Sequence, residues 1–132
     1  MNFFFDHNMS PAMARAFREL FKSEHEIAYL SEKFPRDIAD VDWIAELSRD
    51  GKWVVISGDR RITRNRAEYH AFRNSNLIGL FLSEGMHKAP VAKQMERILA
   101  LWPNIVAVCK TVQGGAMFEL PLKRTLLRQL KL

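Results

Sequence analysis

Short apolar runs alternate along the chain with longer stretches in which apolar residues recur every three or four positions. The almost unbroken apolar runs are those at residues 2–6, 27–30, 53–57 and 77–82. Runs of this length and character are typical of strands that are buried on both faces of a parallel sheet. The third run is apolar throughout its middle and is predicted to be a central strand.

The periodic stretches between these runs predict helices. Ser10 is placed to cap the first of them, with Pro11 at the first helical position. A later helix is predicted to begin at Asp40 or a neighbouring residue and to end near Gly51, because glycine is a frequent helix terminator.

The second half of the chain continues the alternation. Residues 63–74 predict one helix, and Pro90 opens a longer one. Pro103 is predicted to start a further helical segment. Residues 117–120 predict a short strand at an edge of the sheet, and residues 123–132 a basic amphipathic tail.

Strands that alternate with helices predict an α/β fold with a mostly parallel central sheet. A chain of 132 residues, 48% hydrophobic and 27% charged, fits one globular domain over residues 1–132. No run of about 18 apolar residues occurs, so no membrane-spanning segment is expected. Cys109 lies among valines and is predicted to be buried. Because the N-terminus also lacks signal-peptide features, a cytoplasmic location is expected.

The charge is unevenly spread around a net value of +5. Residues 31–50 carry six acidic against three basic residues, whereas residues 58–75 carry five arginines against two acids. Residues 88–132 carry eight basic against two acidic residues. An acidic segment framed by basic ones suits a metal-dependent enzyme that acts on a polyanion such as a nucleic acid.

Three aspartates stand where apolar runs begin or end. Asp6 and Asp59 follow the first and third runs, and Asp42, with Asp40 beside it, lies at the start of a helix. Right-handed crossovers can make the first and third strands neighbours, which would bring Asp6 and Asp59 together. Carboxylates held close together are relieved by a divalent cation, so the pattern predicts a Mg²⁺ or Mn²⁺ site. Asn8 could add an amide oxygen.

Each of these residues also has a structural interpretation. Taken singly, an aspartate at these positions can be a turn residue or a helix cap. The phosphate-binding candidates are Arg60, Arg61 and Arg64, for which a solvated basic surface is the alternative. His7 is expected to face away from Asp6, because neighbours in an extended segment point to opposite sides.

The chain resembles the PIN-domain nucleases, in particular the small PIN-like proteins related to VapC-type toxins. The resemblance rests on FFFDHNMS at residues 3–10, which is similar to the opening strand and D-x-N-x-S turn of that group. It also rests on DVDWI at residues 40–44 and VVISGDRRI at residues 54–62, and it extends over residues 2–85.

The resemblance implies a three-layer α/β/α fold and cleavage of RNA with Mg²⁺ or Mn²⁺. Asp6 and Asp59 match the strand-end metal carboxylates, and Asp42 matches the acid at the start of the middle helix, with Asp40 competing for that role. Arginines stand where PIN nucleases often carry a fourth acid. The resemblance further implies the toxin of a toxin–antitoxin pair, with a small antitoxin as partner. Apolar helix residues would allow a homodimer.

Two other functions are compatible with the residues. A receiver-like phosphoacceptor domain also uses strand-end aspartates with Mg²⁺, but it would need an acidic neighbour for Asp6 and a lysine after the last parallel strand. Lys110 instead lies in a helical run. The other alternative is a catalytically inactive nucleic-acid-binding module, in which the arginines bind and the carboxylates have no catalytic role.

Overall fold

The computed structural model of the protein describes residues 1–58 and 60–130, without the side chain of Arg61. The strands in this part of the chain are β1 Asn2–Phe5, β2 Glu26–Tyr29, β3 Trp53–Ser57, β4 Ile78–Leu82, β5 Met117–Leu120 and β6 Arg128–Gln129. The helices are α1 Pro11–Leu20, α2 Leu30–Lys33, α3 Asp40–Asp50, α4 Arg61–Arg64, α5 Arg66–Arg73, α6 Glu84–Lys88 and α7 Val91–Thr111. The alternation of strands and helices predicted from the sequence is therefore confirmed.

The strands form one sheet in the order β2-β1-β3-β4-β5-β6. The first five are parallel, and only β6 runs antiparallel, against β5. β1 and β3 are neighbours, as the crossover argument predicted, and Phe5 lies opposite Ile56 in their register. Both strands therefore end at the same level of the sheet, and the residues that follow them meet at its carboxyl edge.

Helices cover both faces of the sheet, so the three-layer α/β/α fold is confirmed. Side chains alternate along β1, so Phe5 points to the face covered by α1 and α7, whereas Phe4 points to the face covered by α3 and α5. Phe5 stacks on Phe17 of α1 at 5.6 Å, and the Phe4 ring lies 5.2 Å from that of Trp43 in α3. Burial of aromatic rings on both faces holds β1 in the centre of the molecule.

Two helix predictions are confirmed in part. Ser10 caps α1, with its hydroxyl accepting a hydrogen bond from the Met13 amide at 3.2 Å. The cap of α3 is Ala39, so Asp40 is the first helical residue rather than the cap. α3 ends at Gly51, as predicted.

The prediction of one helix over residues 63–74 is wrong, because Asn65 separates α4 from α5 and its side chain caps α5. The prediction that Pro103 starts a further helical segment is also wrong, since Pro103 lies inside the continuous helix α7. Buried Trp102 and Ile105 on either side of the proline pack against the sheet, and this packing outweighs the missing hydrogen bond. None of the helices in the described ranges has the length and apolar character that a bilayer crossing requires.

Residues 123–130 of the predicted basic tail contribute to the sheet instead of remaining apart from it, and residues 131 and 132 of that prediction lie outside the described part of the chain. β6 pairs with β5, and the Leu130 amide donates to the Met117 carbonyl at 2.8 Å. β5 is therefore not the edge strand that the sequence predicted. Leu130 is buried, and this apolar contact fixes the end of the described chain against the sheet.

Gly79 in β4 gives a test of the packing beneath the carboxyl edge. A Cβ at this position would lie 2.6 Å from the Phe81 ring and 3.0 Å from the Phe72 ring, both of which are fully buried. Gly79→Ala should therefore lower the free energy of unfolding by about 1–3 kcal/mol, measured by urea denaturation. Gly85→Ala is the matched control, because its Cβ would meet only the flexible Leu122 side chain at 3.3 Å. Equal effects of the two variants would contradict this account.

Candidate active site at the carboxyl edge of the sheet

Asp6 follows the last residue of β1 and, with Ser57 and Gln94, is one of the buried polar or charged residues in the described chain, with 2% of its surface exposed. Its amide donates to the Ile56 carbonyl at 3.0 Å, which continues the pairing of β1 with β3 by one residue. One carboxylate oxygen, Oδ2, accepts a hydrogen bond from the hydroxyl of Ser57 at 3.0 Å. The ends of β1 and β3 are thus joined through this carboxylate.

His7 also contacts the Asp6 carboxylate, so the prediction that it faces away is wrong. Its amide donates to Asp6 Oδ1 at 2.7 Å, and its ring atom Nδ1 lies 2.8 Å from the same oxygen. The chain turns directly after β1, with the Met9 amide donating to the Asp6 carbonyl at 3.0 Å. Alternation of side chains does not continue through a turn. The Tyr29 hydroxyl, 2.9 Å from the His7 carbonyl and 3.0 Å from that of Met9, holds the turn in place.

Asn8 connects the same two strand ends. Its Oδ1 accepts a hydrogen bond from the Gly58 amide at 2.9 Å and lies 3.4 Å from the Ser57 hydroxyl. The side chain that the sequence suggested as a ligand therefore fixes the segment that follows β3. Gly58 is packed closely here, because a Cβ would lie 2.9 Å from Nδ1 of His87.

Burial raises the pKa of the Asp6 carboxyl group above its ordinary value. The hydrogen bonds and charge interaction with His7, together with the hydrogen bond from Ser57, oppose this shift without cancelling it. An ionised carboxylate at this position is destabilised by the loss of water, and a proton or a bound cation would relieve it.

A cavity of about 590 Å³ opens beside these residues. It is lined by Asn8, Gly58, Arg60, Arg64, Leu82, Glu84 and His87. Arg64 and His87 are exposed, and Glu84 forms an exposed ion pair with Lys88 at 2.9 Å. The cavity therefore presents the guanidinium groups of Arg60 and Arg64 close to the buried carboxylate.

His87 was not among the site residues predicted from the sequence, although it lines the cavity. It lies on α6, which starts directly after β4 and is capped by the Ser83 hydroxyl. Residues that follow a parallel strand reach the same edge as Asp6. Its position shortly after a predicted strand was the signal that could have identified it.

Arg60 is half-buried and forms an ion pair with Glu119 of β5. Burial lowers its pKa, and the neighbouring guanidinium groups of Arg128 and Arg64 lower it further, whereas Glu84 raises it. Arg60 and Arg64 thus lie in the cavity as the phosphate-binding prediction requires. The Arg61 side chain lies outside the described part of the chain, and its role remains a prediction.

The remaining predicted carboxylates are placed differently. Asp40 accepts a hydrogen bond from the indole of Trp43 at 2.8 Å, and Asp42 is exposed and lines a separate hollow with Lys33 and Arg49. Neither lines the cavity beside Asp6. Asp59 lies outside the described residues. Within residues 1–58 and 60–130, no group of three or more His, Cys, Asp or Glu side chains is placed to hold a metal ion.

The family model of the PIN-like domain matches residues 1–84, from β1 to the beginning of α6. The chain belongs to the PIN-like domain family. No curated protein and no solved structure matches it. PIN-like domains are generally nucleases, so membership places the chain in a nuclease-type superfamily at a coarse level. Within this PIN-like domain the match includes Asp6, Asp40, Asp42 and Asp59, but it ends before His87 and before the whole of α7, β5 and β6.

The raised pKa of Asp6 gives the second test. A raised value means that the folded state binds the proton more tightly than the unfolded chain. The bound proton therefore stabilises the folded state. This stabilisation is complete below the ordinary carboxyl pKa and is lost as the pH rises through the raised pKa of Asp6. At pH 7, with EDTA present, Asp6→Asn should therefore increase the free energy of unfolding by about 1 kcal/mol. Thermal melts at pH 7 and pH 3 should show that the difference disappears in acid.

Asp42→Asn is the matched control, because Asp42 is exposed. Its effect at either pH should stay within about 0.5 kcal/mol. If Asp6→Asn were destabilising at pH 7, the hydrogen bonds from His7 and Ser57 would be worth more than the desolvation of the charge, contrary to the account given above.

Proposed function

We propose that this PIN-like domain is a divalent-metal-dependent nuclease that hydrolyses phosphodiester bonds in RNA. The observation that supports the proposal most strongly is the buried Asp6 carboxylate, which lies at the end of β1 against Ser57 and beside a cavity that contains arginines. RNA as the substrate, rather than DNA, rests on the resemblance to VapC-type proteins.

The donor chemistry at Asp6 fits Mg²⁺ or Mn²⁺. An ionised carboxylate offers about four lone-pair positions, and among residues 1–58 and 60–130 the hydrogen-bond partners of Asp6 are His7 and Ser57. Acceptor capacity therefore remains for a hard cation, which would also relieve the buried charge. When bound, such an ion lowers the pKa of a coordinated water and stabilises charge on phosphate oxygens. Asp59, and Asp42 or Asp40, are the further ligands that the sequence predicts.

The other residues have separate roles in the proposal. Ser57 and His7 orient the Asp6 carboxylate, and Asn8 holds the Gly58 amide and so positions the segment that leads to residue 59. Arg64 is exposed at the cavity and attracts a phosphate group directly. Arg60 forms an ion pair with Glu119, so it attracts a phosphate group less strongly than Arg64 does. Arg61 is proposed as a third phosphate-binding residue.

A nucleic-acid-binding module without catalytic activity is the second candidate, and it is favoured by the arginines of the same cavity. The strand order β2-β1-β3-β4-β5 also occurs in flavodoxin-like receiver domains, so topology does not separate these classes. A receiver would need a lysine close to Asp6. Lys110 instead lies in α7 beside Met1 and Lys52, at the amino edge of the sheet.

The third test is cleavage of a mixture of transfer and ribosomal RNA by the purified protein. With Mn²⁺ or Mg²⁺ we expect cleavage fragments, and with EDTA none. Asp6→Asn should reduce the rate by at least about a hundredfold, because the metal-binding carboxylate is removed while the fold is retained. Asp37→Asn is the matched control, since Asp37 is an exposed aspartate away from the cavity.

Parallel assays of Asp40→Asn and Asp42→Asn would identify the middle acid, because only the true ligand should lose activity to the same extent as Asp6→Asn. Full metal-dependent activity of Asp6→Asn would contradict the proposed mechanism. Salt-sensitive RNA binding without cleavage, unaffected by EDTA or by Asp6→Asn, would support the binding module instead.

We also propose that the protein acts as the toxin of a toxin–antitoxin pair in the cytoplasm. Its partner would be a small antitoxin that covers the carboxyl edge and places a basic side chain among the carboxylates. A homodimer remains a further prediction of the sequence.

The fourth test is expression from an inducible promoter in a bacterial host, followed by growth measurement. The unmodified chain should arrest growth, whereas Asp6→Asn at equal protein levels should not, because the arrest would depend on cleavage. Asp37→Asn should arrest growth like the unmodified chain. Normal growth with the unmodified chain would contradict the toxin role without affecting the cleavage assay.

A further inference from the structure

A second hollow, of about 890 Å³, lies beside the active-site cavity along the carboxyl edge of the sheet. Its lining comes from Ser83, Gly85, Glu119 and residues 121–128. All of these except Ser83 lie beyond the part of the chain that matches the PIN-like family model. We call this hollow the basic groove.

The basic groove and the active-site cavity share a wall. Glu84 lines the cavity, while its neighbours Ser83 and Gly85 line the groove. The two hollows are also bridged by an ion pair, because Arg60 lines the cavity and its partner Glu119 lines the groove. A ligand that extends out of the cavity in this direction would enter the groove directly.

The groove carries cationic side chains that have no acidic partner in the part of the chain that the structure describes. Lys123, Arg124 and Arg128 are exposed, and none of them forms an ion pair with the described residues. The acidic residue of the groove, Glu119, is already paired with Arg60. Arg128 from the groove and Arg64 from the cavity both lower the pKa of Arg60. The guanidinium group of Arg60 therefore lies near cationic side chains of both hollows, with Glu84 and Glu119 beside it.

The segment that carries these cations is held in place by α7. The Arg97 guanidinium donates to the carbonyl of Pro121 at 3.1 Å and to that of Arg124, and the Asn104 amide donates to the carbonyl of Thr125. These bonds tie the backbone carbonyls to the helix. Binding by an ordered segment has a smaller entropic cost than binding by a mobile one.

We propose that the basic groove binds a further stretch of the single-stranded nucleic acid whose scissile phosphate lies in the active-site cavity. The inference rests on the proposed function, because that function places a phosphodiester strand in the neighbouring cavity. Lys123, Arg124 and Arg128 contact successive phosphates of the strand. Leu126, 74% exposed in the groove, offers an apolar surface to its bases. Continuity with the cavity, where the proposed function places a phosphodiester strand, favours a nucleic acid over an acidic peptide.

The test measures binding of fluorescein-labelled oligouridylates of 4 and 12 nucleotides by anisotropy, with the full chain in EDTA. The variant Lys123→Gln/Arg124→Gln/Arg128→Gln should bind the 12-mer at least about tenfold more weakly than the unmodified chain at low salt. Its slope of log affinity against log salt should be smaller by about 2, because three single-strand phosphate contacts are lost. Binding of the 4-mer, which carries too few phosphates to fill both hollows, should change by less than about threefold.

The matched control is Lys22→Gln/Lys52→Gln/Lys110→Gln, which removes the same charge from exposed lysines away from both hollows. It should weaken binding of the 12-mer by less than about threefold, since these charges lie beyond the reach of screened attraction. Lys123→Gln/Arg124→Gln leaves β6 intact and serves as a second variant if the triple variant melts at a lower temperature. An intermediate loss for this double variant supports the proposal.

Three results would overturn the inference. They are equal 12-mer affinities for the groove and control variants, equal affinities of the unmodified chain for the 4-mer and 12-mer, and tighter binding of a 12-residue polyglutamate peptide than of RNA. The last result would assign the groove to an acidic protein partner. These assays contain EDTA and involve no cleavage, so the two failures can be told apart. Failure of metal-dependent cleavage with a retained length dependence would overturn the proposed nuclease function and the scissile phosphate, and would leave the groove as a nucleic-acid-binding surface.

Discussion

The parallel pairing of β1 with β3 is the contact on which the rest of the candidate site depends. It places Phe5 opposite Ile56, so the residues that follow the two strands are brought together. Asp6 then lies against Ser57, although 51 positions separate them along the chain. Aromatic packing on both faces of β1 keeps this strand in the interior. A small shift in the register would separate the carboxylate from its hydroxyl partner and from the Gly58 amide held by Asn8.

The second constraint is the cost of a buried charge. Asp6 is held by hydrogen bonds from His7 and Ser57, yet burial still raises its pKa. A carboxylate that is oriented but not fully compensated is suited to bind a cation, because ion binding relieves the same electrostatic cost that destabilises the fold. The buried charge of Asp6 therefore lowers the stability of the fold while it favours the proposed metal binding, a conflict that is common at functional sites.

The C-terminal third of the chain adds a charged surface to this frame. α7 supplies Arg97 and Asn104, which fix the segment between β5 and β6 through its carbonyl groups. β5 supplies Glu119, which pairs with Arg60 and thereby links the segment to the cavity. These elements lie beyond the family match at residues 1–84. The part of the chain that matches the family therefore contains Asp6, whereas the later elements form part of the surface around the cavity.

The sequence alone was sufficient for several features of this protein. Unbroken apolar runs predicted the parallel sheet and its central strand, Ser10 with Pro11 predicted the start of α1, and the end of the first run identified Asp6 as a strand-end carboxylate. These features depend on local periodicity and on burial of apolar side chains, and both can be recognised from residues that are close together along the chain. The burial of Cys109 was predictable for the same reason.

Other features were decided only by the tertiary structure. The turn after β1 brought His7 back onto Asp6, packing around Trp102 carried α7 through Pro103, and β6 formed by pairing with β5. Arg60 and Glu119 are 59 positions apart, and no local pattern links them. Contacts of this kind depend on which strand ends share an edge and on how far each side chain reaches across it, so they are settled only when the whole sheet has assembled.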